Sequence, residues 1–108
     1  AQLENVDLRN CNLRHADLRG ARLMGAKLNG SDLREAQLGP LLMDGDRLLP
    51  CNLTDAVLKG ADLTGADLRH AVLTRANLSR ARLAGASIRH AEMTDAIMTG
   101  VRGMDTTC

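Results

Sequence analysis

Seven basic side chains crowd into one part of the chain. Arg69, His70, Arg75, Arg80, Arg82, Arg89 and His90 fall within residues 68–91, and no Asp or Glu interrupts them. Guanidinium and imidazolium groups act only as hydrogen-bond donors, so a set of them without carboxylates suits an anion, either a phosphate or an acidic protein surface. Metal chemistry fits poorly. His70 and His90 offer no chelating spacing and no supporting carboxylate, and Cys11, Cys51 and Cys108 match no Cys-x-x-Cys pattern. No metal or cofactor is expected. Nor is an enzyme: the chain has no Gly-x-Ser-x-Gly elbow and no glycine-rich phosphate loop, and Thr64, Thr74 and Ser79 read as outward turn residues.

The global properties narrow the class without naming a partner. A chain of 108 residues is one domain at most, and with no Phe, Tyr or Trp its core must be thin and regular. Fourteen Lys and Arg against thirteen Asp and Glu leave a formal charge of +1, so the surface is neither strongly anionic nor uniformly basic. No apolar run is long enough to cross a membrane and no secretory leader opens the chain, so a cytoplasmic protein without a membrane partner is expected, with reduced thiols. Because residue 1 is Ala, the chain also reads as a repeat domain cut from a longer protein.

A repeat of five residues must hold these groups in place. Every fifth residue from Leu3 to Met98 is Leu sixteen times, Met three times (Met43, Met93, Met98) and Ile once (Ile88). Two places earlier Ala returns fourteen times, with Val6, Cys11, Ser31, Leu41, Asp46 and Cys51 as the exceptions. Neither the helical period nor the strand period asks for five. A backbone that points a small and then a large apolar residue inward, and bends between such pairs, can close into a circuit. Stacked circuits bury the Leu column that one unit cannot bury alone. Cys11 and Cys51 take the Ala place and read as small core fillers.

The units ADLTG (61–65), ADLRH (66–70), ANLSR (76–80) and ARLAG (81–85) closely resemble the pentapeptide-repeat family, written A(D/N)LXX. The resemblance covers nearly the whole chain. It implies an all-β fold, a right-handed quadrilateral parallel β-helix of about five coils with four pentapeptides per coil, stacked about 4.8 Å apart. Residues twenty apart then lie one above the other. Arg69 lies under Arg89 and His70 under His90, while Asp62 under Arg82, and Arg75 between Asp55 and Asp95, offset part of the charge.

GPLLMDGDRLLP, residues 39–50, breaks the pattern. Leu41 is too large for the small inward place, and Asp46 there would bury an unpaired carboxylate. The segment is therefore expected to leave the coil at a corner as a loop, with Asp44-Gly45 as its turn, Pro40 and Pro50 at its ends, and Leu41, Leu42, Leu48 and Leu49 folding back onto a face. The expected layout is a β-helix over 1–100, interrupted at 39–50, and an irregular tail over 101–108.

Function follows less directly. A rigid rod with flat faces and one loop is built to present residues, so a non-enzymatic scaffold or protein-interaction module with an unidentified protein partner is expected. The candidate contacts are the seven Arg and His residues above together with Leu41, Leu42, Asp44 and Arg47. The alternative, implied by the family's quinolone-resistance members, is a DNA mimic directed at gyrase or another topoisomerase. Near-zero net charge, a basic belt and no aromatic core count against it. Binding of nucleic acid is disfavoured by the lack of stacking aromatics. Neither end looks capped, so the chain is expected either to continue in a longer protein or to form a homodimer by stacking its ends.

Overall fold

Each unit combines a short extended piece with a tight turn. In Ala61–Gly65, Ala61 and Leu63 point inward while Asp62 between them points out, the alternation of an extended backbone. Leu63, Thr64, Gly65 and Ala66 then form a turn closed by the Ala66 N–H donating to the Leu63 carbonyl at 2.9 Å. Gly65, third in the turn, has φ +70°, the left-handed conformation a type II turn requires there. Asn, Asp and His take that place at several other turns, as residues that tolerate it. Glu35, Arg75 and Arg80 take it with φ near +60°.

Four such turns close a coil, and the coils pair by a parallel backbone ladder. The Leu63 N–H donates to Arg82 O at 2.7 Å, and the Arg82 N–H donates back to Ala61 O at 3.0 Å. The outward residues pair in step: Asp7 with Lys27, Asn52 with Val72, and Arg82 with Arg102. The computed structural model describes residues 3–45 and 47–103, and the ladder continues through Arg102. Of the tail expected at 101–108, residues 104–108 lie outside the described residues. The quadrilateral β-helix implied by the repeat is the fold found.

The core is a column of Leu with Ala beside it. Leu23, Leu28, Leu33, Leu38, Leu53, Leu63 and Leu73 are fully buried, as are the small residues two places before them. Ser31 takes one Ala place, and its hydroxyl donates to Leu28 O at 2.8 Å, so the buried polar atom is satisfied. Cys51 takes another. Burial pushes its thiol up to about 12, which makes it an inert filler at neutral pH.

The break is a β-hairpin. Strand β1 (Leu41–Leu42) pairs antiparallel with β2 (Leu48–Leu49), with Leu41 opposite Leu49 and Leu42 opposite Leu48. The turn is tied by the Met43 N–H to Arg47 O at 2.8 Å and opened by Gly45 at φ +64°. Before the hairpin, ladder partners are twenty residues apart; across it Arg22 pairs with Asn52 and Gln37 with Asp67, thirty apart. The hairpin therefore inserts ten residues, two pentapeptides, without changing the register on either side.

Only part of the loop folds back. A Cβ on Gly20 would lie 2.9 Å from Leu41 Cβ and 3.2 Å from both Leu49 Cδ2 and Leu49 O, so these two leucines lean on the corner of the first coil. Leu42 and Leu48 do not, contrary to the expectation for all four: they are 68% and 49% exposed. The pleat explains it, because neighbouring residues of a two-residue strand point to opposite sides. Asp46, expected to be kept out of the core, lies outside the described residues.

Two predictions follow from the ladder and the core. Leu73→Ala, at a fully buried site walled by rigid coils, is expected to lower stability by about 2–5 kcal/mol in chemical denaturation. Deleting residues 41–50 together with Pro40→Gly joins residue 40 to Cys51, puts glycine at the left-handed turn place that proline cannot adopt, and should leave the circular dichroism spectrum and cooperative unfolding intact. Deleting residues 41–47 moves every later Leu from the large inward place into the small one and turns its Ala partner outward, which should abolish cooperative unfolding; equal behaviour of the two deletions would contradict the corner insertion.

Candidate functional site

Where the residue before an inward Leu is Asp or Asn, it organises the rim. Its side-chain oxygen accepts the backbone N–H two residues on, as in Asn12 to Arg14 at 3.2 Å and Asn52 to Thr54 at 3.1 Å. When the residue after Leu is Ser or Thr, its hydroxyl donates to the same oxygen, at 2.6 Å in Thr54–Asn52, Thr64–Asp62 and Ser79–Asn77. This is the turn chemistry of short polar side chains, repeated along a rod.

Asp followed two places later by Arg gives a stronger version. The tripeptide Asp-Leu-Arg occurs at 7–9, 17–19, 32–34 and 67–69. In each, Arg Nε and Nη2 donate to the two carboxylate oxygens, at 2.9 and 2.7 Å in Arg9–Asp7 and at 2.9 and 2.9 Å in Arg69–Asp67. The Arg hydrogen bonds draw Asp7, Asp17 and Asp32 down to about 2, and lower Asp67 in the same way. Such exposed pairs add little stability, yet they fix the direction of the guanidinium and neutralise it.

The basic belt is therefore thinner than its sequence suggests. Arg69 is held by Asp67, which lies one residue outside the acid-free window. Arg75 donates through Nε to Asp55 Oδ1 at 2.9 Å, twenty residues back, so the column expected from the repeat does offset it. Arg80, Arg82 and Arg89 have no ion-pair partner among the described residues. His70 and His90 stack as expected, with ring centroids 5.0 Å apart and planes 21° apart. The third histidine, His15, was not singled out by the sequence, and its Nε2 lies 3.0 Å from Glu35 Oε1, again across one coil. The signal was available: residues 15 and 35 are twenty apart.

The sequence candidates fall into two groups. Arg75, Arg80 and Arg82 are distributed around the rod, at two corners and on a face. The other group shares one corner. The Gly20 N–H donates to Gly39 O at 3.2 Å and the His70 N–H to Arg89 O at 2.9 Å, so residue 20, the hairpin base and residues 70 and 90 follow one another along a single edge. At the intervening coil the donor place falls to Pro40, which has no N–H, and there the chain leaves to form the hairpin. Leu41 is half-buried at its base, while Leu42, Asp44 and Arg47 are exposed. No group of three or more His, Cys, Asp or Glu is placed to hold a metal among the described residues.

A parallel β-helix of five-residue units with a leucine core and a self-satisfied rim defines a solenoid repeat protein. The family model for pentapeptide repeats matches in eight copies over residues 1–38, 51–89 and 61–100, and the chain belongs to the pentapeptide-repeat family. No curated protein matches it. Among solved structures, a pentapeptide repeat protein from the thylakoid lumen of Arabidopsis thaliana is similar at TM-score 0.83 and 29% identity, covering 99% of this chain and 68% of its own. Rfr23 from the cyanobacterium Cyanothece 51142 is similar at TM-score 0.69 and 27% identity, covering 93% and 62%. QnrB1, a plasmid-mediated fluoroquinolone resistance protein, shares the fold at TM-score 0.74 and 18% identity, covering 96% of this chain and 46% of its own. The fold is thus the right-handed quadrilateral β-helix. No helix among the described residues is long and apolar enough to cross a membrane.

The rim carboxylates give a pH dependence whose sign is fixed. Their folded-state pKa lies below the ordinary carboxylate value, so their contribution is present above that value and is lost as pH falls from about 4 to about 2. Asn at positions 7, 17 and 32 keeps the turn hydrogen bond that Asn12 already makes but removes the ion pair. The triple Asp→Asn variant should fold, and its melting temperature should fall less steeply than the parent's over that pH range in scanning calorimetry.

Proposed function

We propose that the chain is a non-enzymatic protein-interaction module that presents flat β-helix faces and one hairpin to a protein partner. The observation that carries this reading is where apolar surface lies. Of the five large hydrophobic side chains exposed to solvent among the described residues, Leu42, Met43, Leu48 and Leu49 stand on the hairpin and Ile97 stands on a face. Along the coils the repeat turns Leu inward and mostly polar groups outward, so this cluster is a local departure from the rule that builds the rod. Exposed apolar clusters on rigid scaffolds are characteristic of protein contacts.

The charge pattern favours this reading over a DNA mimic. A duplex carries one negative charge per about 1.7 Å of axis, so a mimic needs a long acidic face. The ladder column Asn12, Asp32, Asp62, Arg82, Arg102 changes sign halfway along the rod. A saddle shaped for DNA would meet attraction at one end of this face and repulsion at the other. The test is supercoiling by purified DNA gyrase titrated with this protein. No inhibition is expected; inhibition at low micromolar concentration that disappears on deletion of residues 41–50 with Pro40→Gly would overturn the reading in favour of mimicry.

A further inference from the structure

We propose that the corner where the hairpin leaves the coil is one composite docking edge, and that its occupant is an acidic, leucine-bearing segment of a partner protein. The proposal rests on the interaction-module reading and gives the partner its chemistry. Two different surfaces meet along this edge. One is the outer side of the hairpin, where Leu42, Met43 and Leu48 are exposed to solvent. The other begins at the next coil, where His70 and His90 stack at 5.0 Å with Arg89 beside them.

The cationic half is free because of one residue. Asp17 and Asp67 hold Arg19 and Arg69 by paired hydrogen bonds on this same face, and at the next coil the equivalent place is Ser87. Arg89 therefore has no carboxylate in its own turn and no ion-pair partner among the described residues. The Arg89 guanidinium presents only N–H donors beside the two stacked imidazole rings, which suits a carboxylate placed against it. Glu92 belongs to the adjoining face, in register with Val72, and Asp67 is already committed to Arg69. Carboxylates brought by a partner complete the set.

Spacing and composition define the occupant further. His90 lies two coils beyond the hairpin base, about 10 Å at strand spacing, which an extended chain crosses in roughly three residues. The segment thus carries apolar side chains for the hairpin and, after a short spacer, carboxylates for Arg89 and His90. Nucleic acid fits less well, because the chain has no Phe, Tyr or Trp on which bases could stack. A membrane surface fits less well, because the exposed hairpin turn carries Asp44 among its leucines.

The probe is a synthetic peptide with a leucine pair and a glutamate run joined by a short serine spacer, and the control carries lysine for glutamate. Both are titrated into the full chain with methyl groups of Leu and Met and ring protons of His followed by NMR. The glutamate peptide is expected to move the Leu42, Met43 and Leu48 methyls and the His70 and His90 rings along one saturation curve, while the lysine peptide does not saturate. Leu42→Ser with Leu48→Ser, and separately Arg89→Glu with His90→Glu, should each weaken binding about tenfold or more; all four positions are exposed, so the fold stands. Response of only one half of the edge, equal binding of both peptides, or hairpin-dependent capture by phosphatidylglycerol vesicles without peptide binding would overturn it. Photo-crosslinking of a cellular partner to the flat faces, unchanged in both double variants, would overturn the edge while leaving the interaction-module reading standing. Hairpin-dependent gyrase inhibition would remove that reading instead.

Discussion

The hydrogen-bonded ladder between coils is the constraint on which the rest depends. Every face repeats the exchange seen between Leu63, Arg82 and Ala61, so successive coils are locked at strand separation. At that distance the interior takes one Leu and one small residue per unit, and Ser31 and Cys51 fit the Ala place because they are small. The same distance sets the outer surface. A corner side chain lies over the residue one coil on, twenty places away or thirty across the hairpin, as in the ion pair of Asp55 with Arg75 and the ring stack of His70 with His90.

The corner positions show how tight that constraint is. A Cβ on Gly25 would overlap Asn5 Oδ1, and one on Gly30 would lie 2.5 Å from Asn10 Oδ1, so the Asn of one coil lies across the glycine of the next. Conformation and space thus both favour glycine there. Arg75 and Arg80 occupy the same left-handed place without that freedom, at a strain of about 1–2 kcal/mol each for an ordinary residue. Arg75 gains a carboxylate partner in return; Arg80 gains none among the described residues.

Much of this was legible in the sequence because the period is short and exact in its apolar places. Sixteen Leu in twenty inward positions leave little freedom, and the twenty-residue stacking of Asp55 on Arg75 and of His70 on His90 followed once four units made a coil. The hairpin was placed by its prolines and by Leu41, too large for the small inward site. The charge balance was harder. A window that begins at residue 68 hides the Asp67 that neutralises Arg69, because the pairing acts at a separation of two and leaves no trace in a count of acids between fixed ends. The Asp-Leu-Arg tripeptide carries that information, as His15 and Glu35 carry theirs, but only when residue pairs are read in place of composition. The direction of Leu42 and Leu48 depended on which side of a two-residue strand faces the Gly20 corner, and nothing in the pentapeptide pattern specifies it.

The ten-residue insertion also bears on how the chain reaches this state. Closing a coil requires ends twenty residues apart to meet, and the coil bearing the hairpin must bring together ends thirty apart. By polymer closure entropy that difference amounts to about 0.4 kcal/mol, far less than the burial of a single leucine. The corner is thus a point of near-zero cost for adding sequence, provided the addition returns the chain to the next inward site. Selection can rewrite the projecting residues while the rod that carries them stays under separate control. In that sense recognition and foldability in this chain are encoded in different residues, and a change in one leaves the other almost untouched.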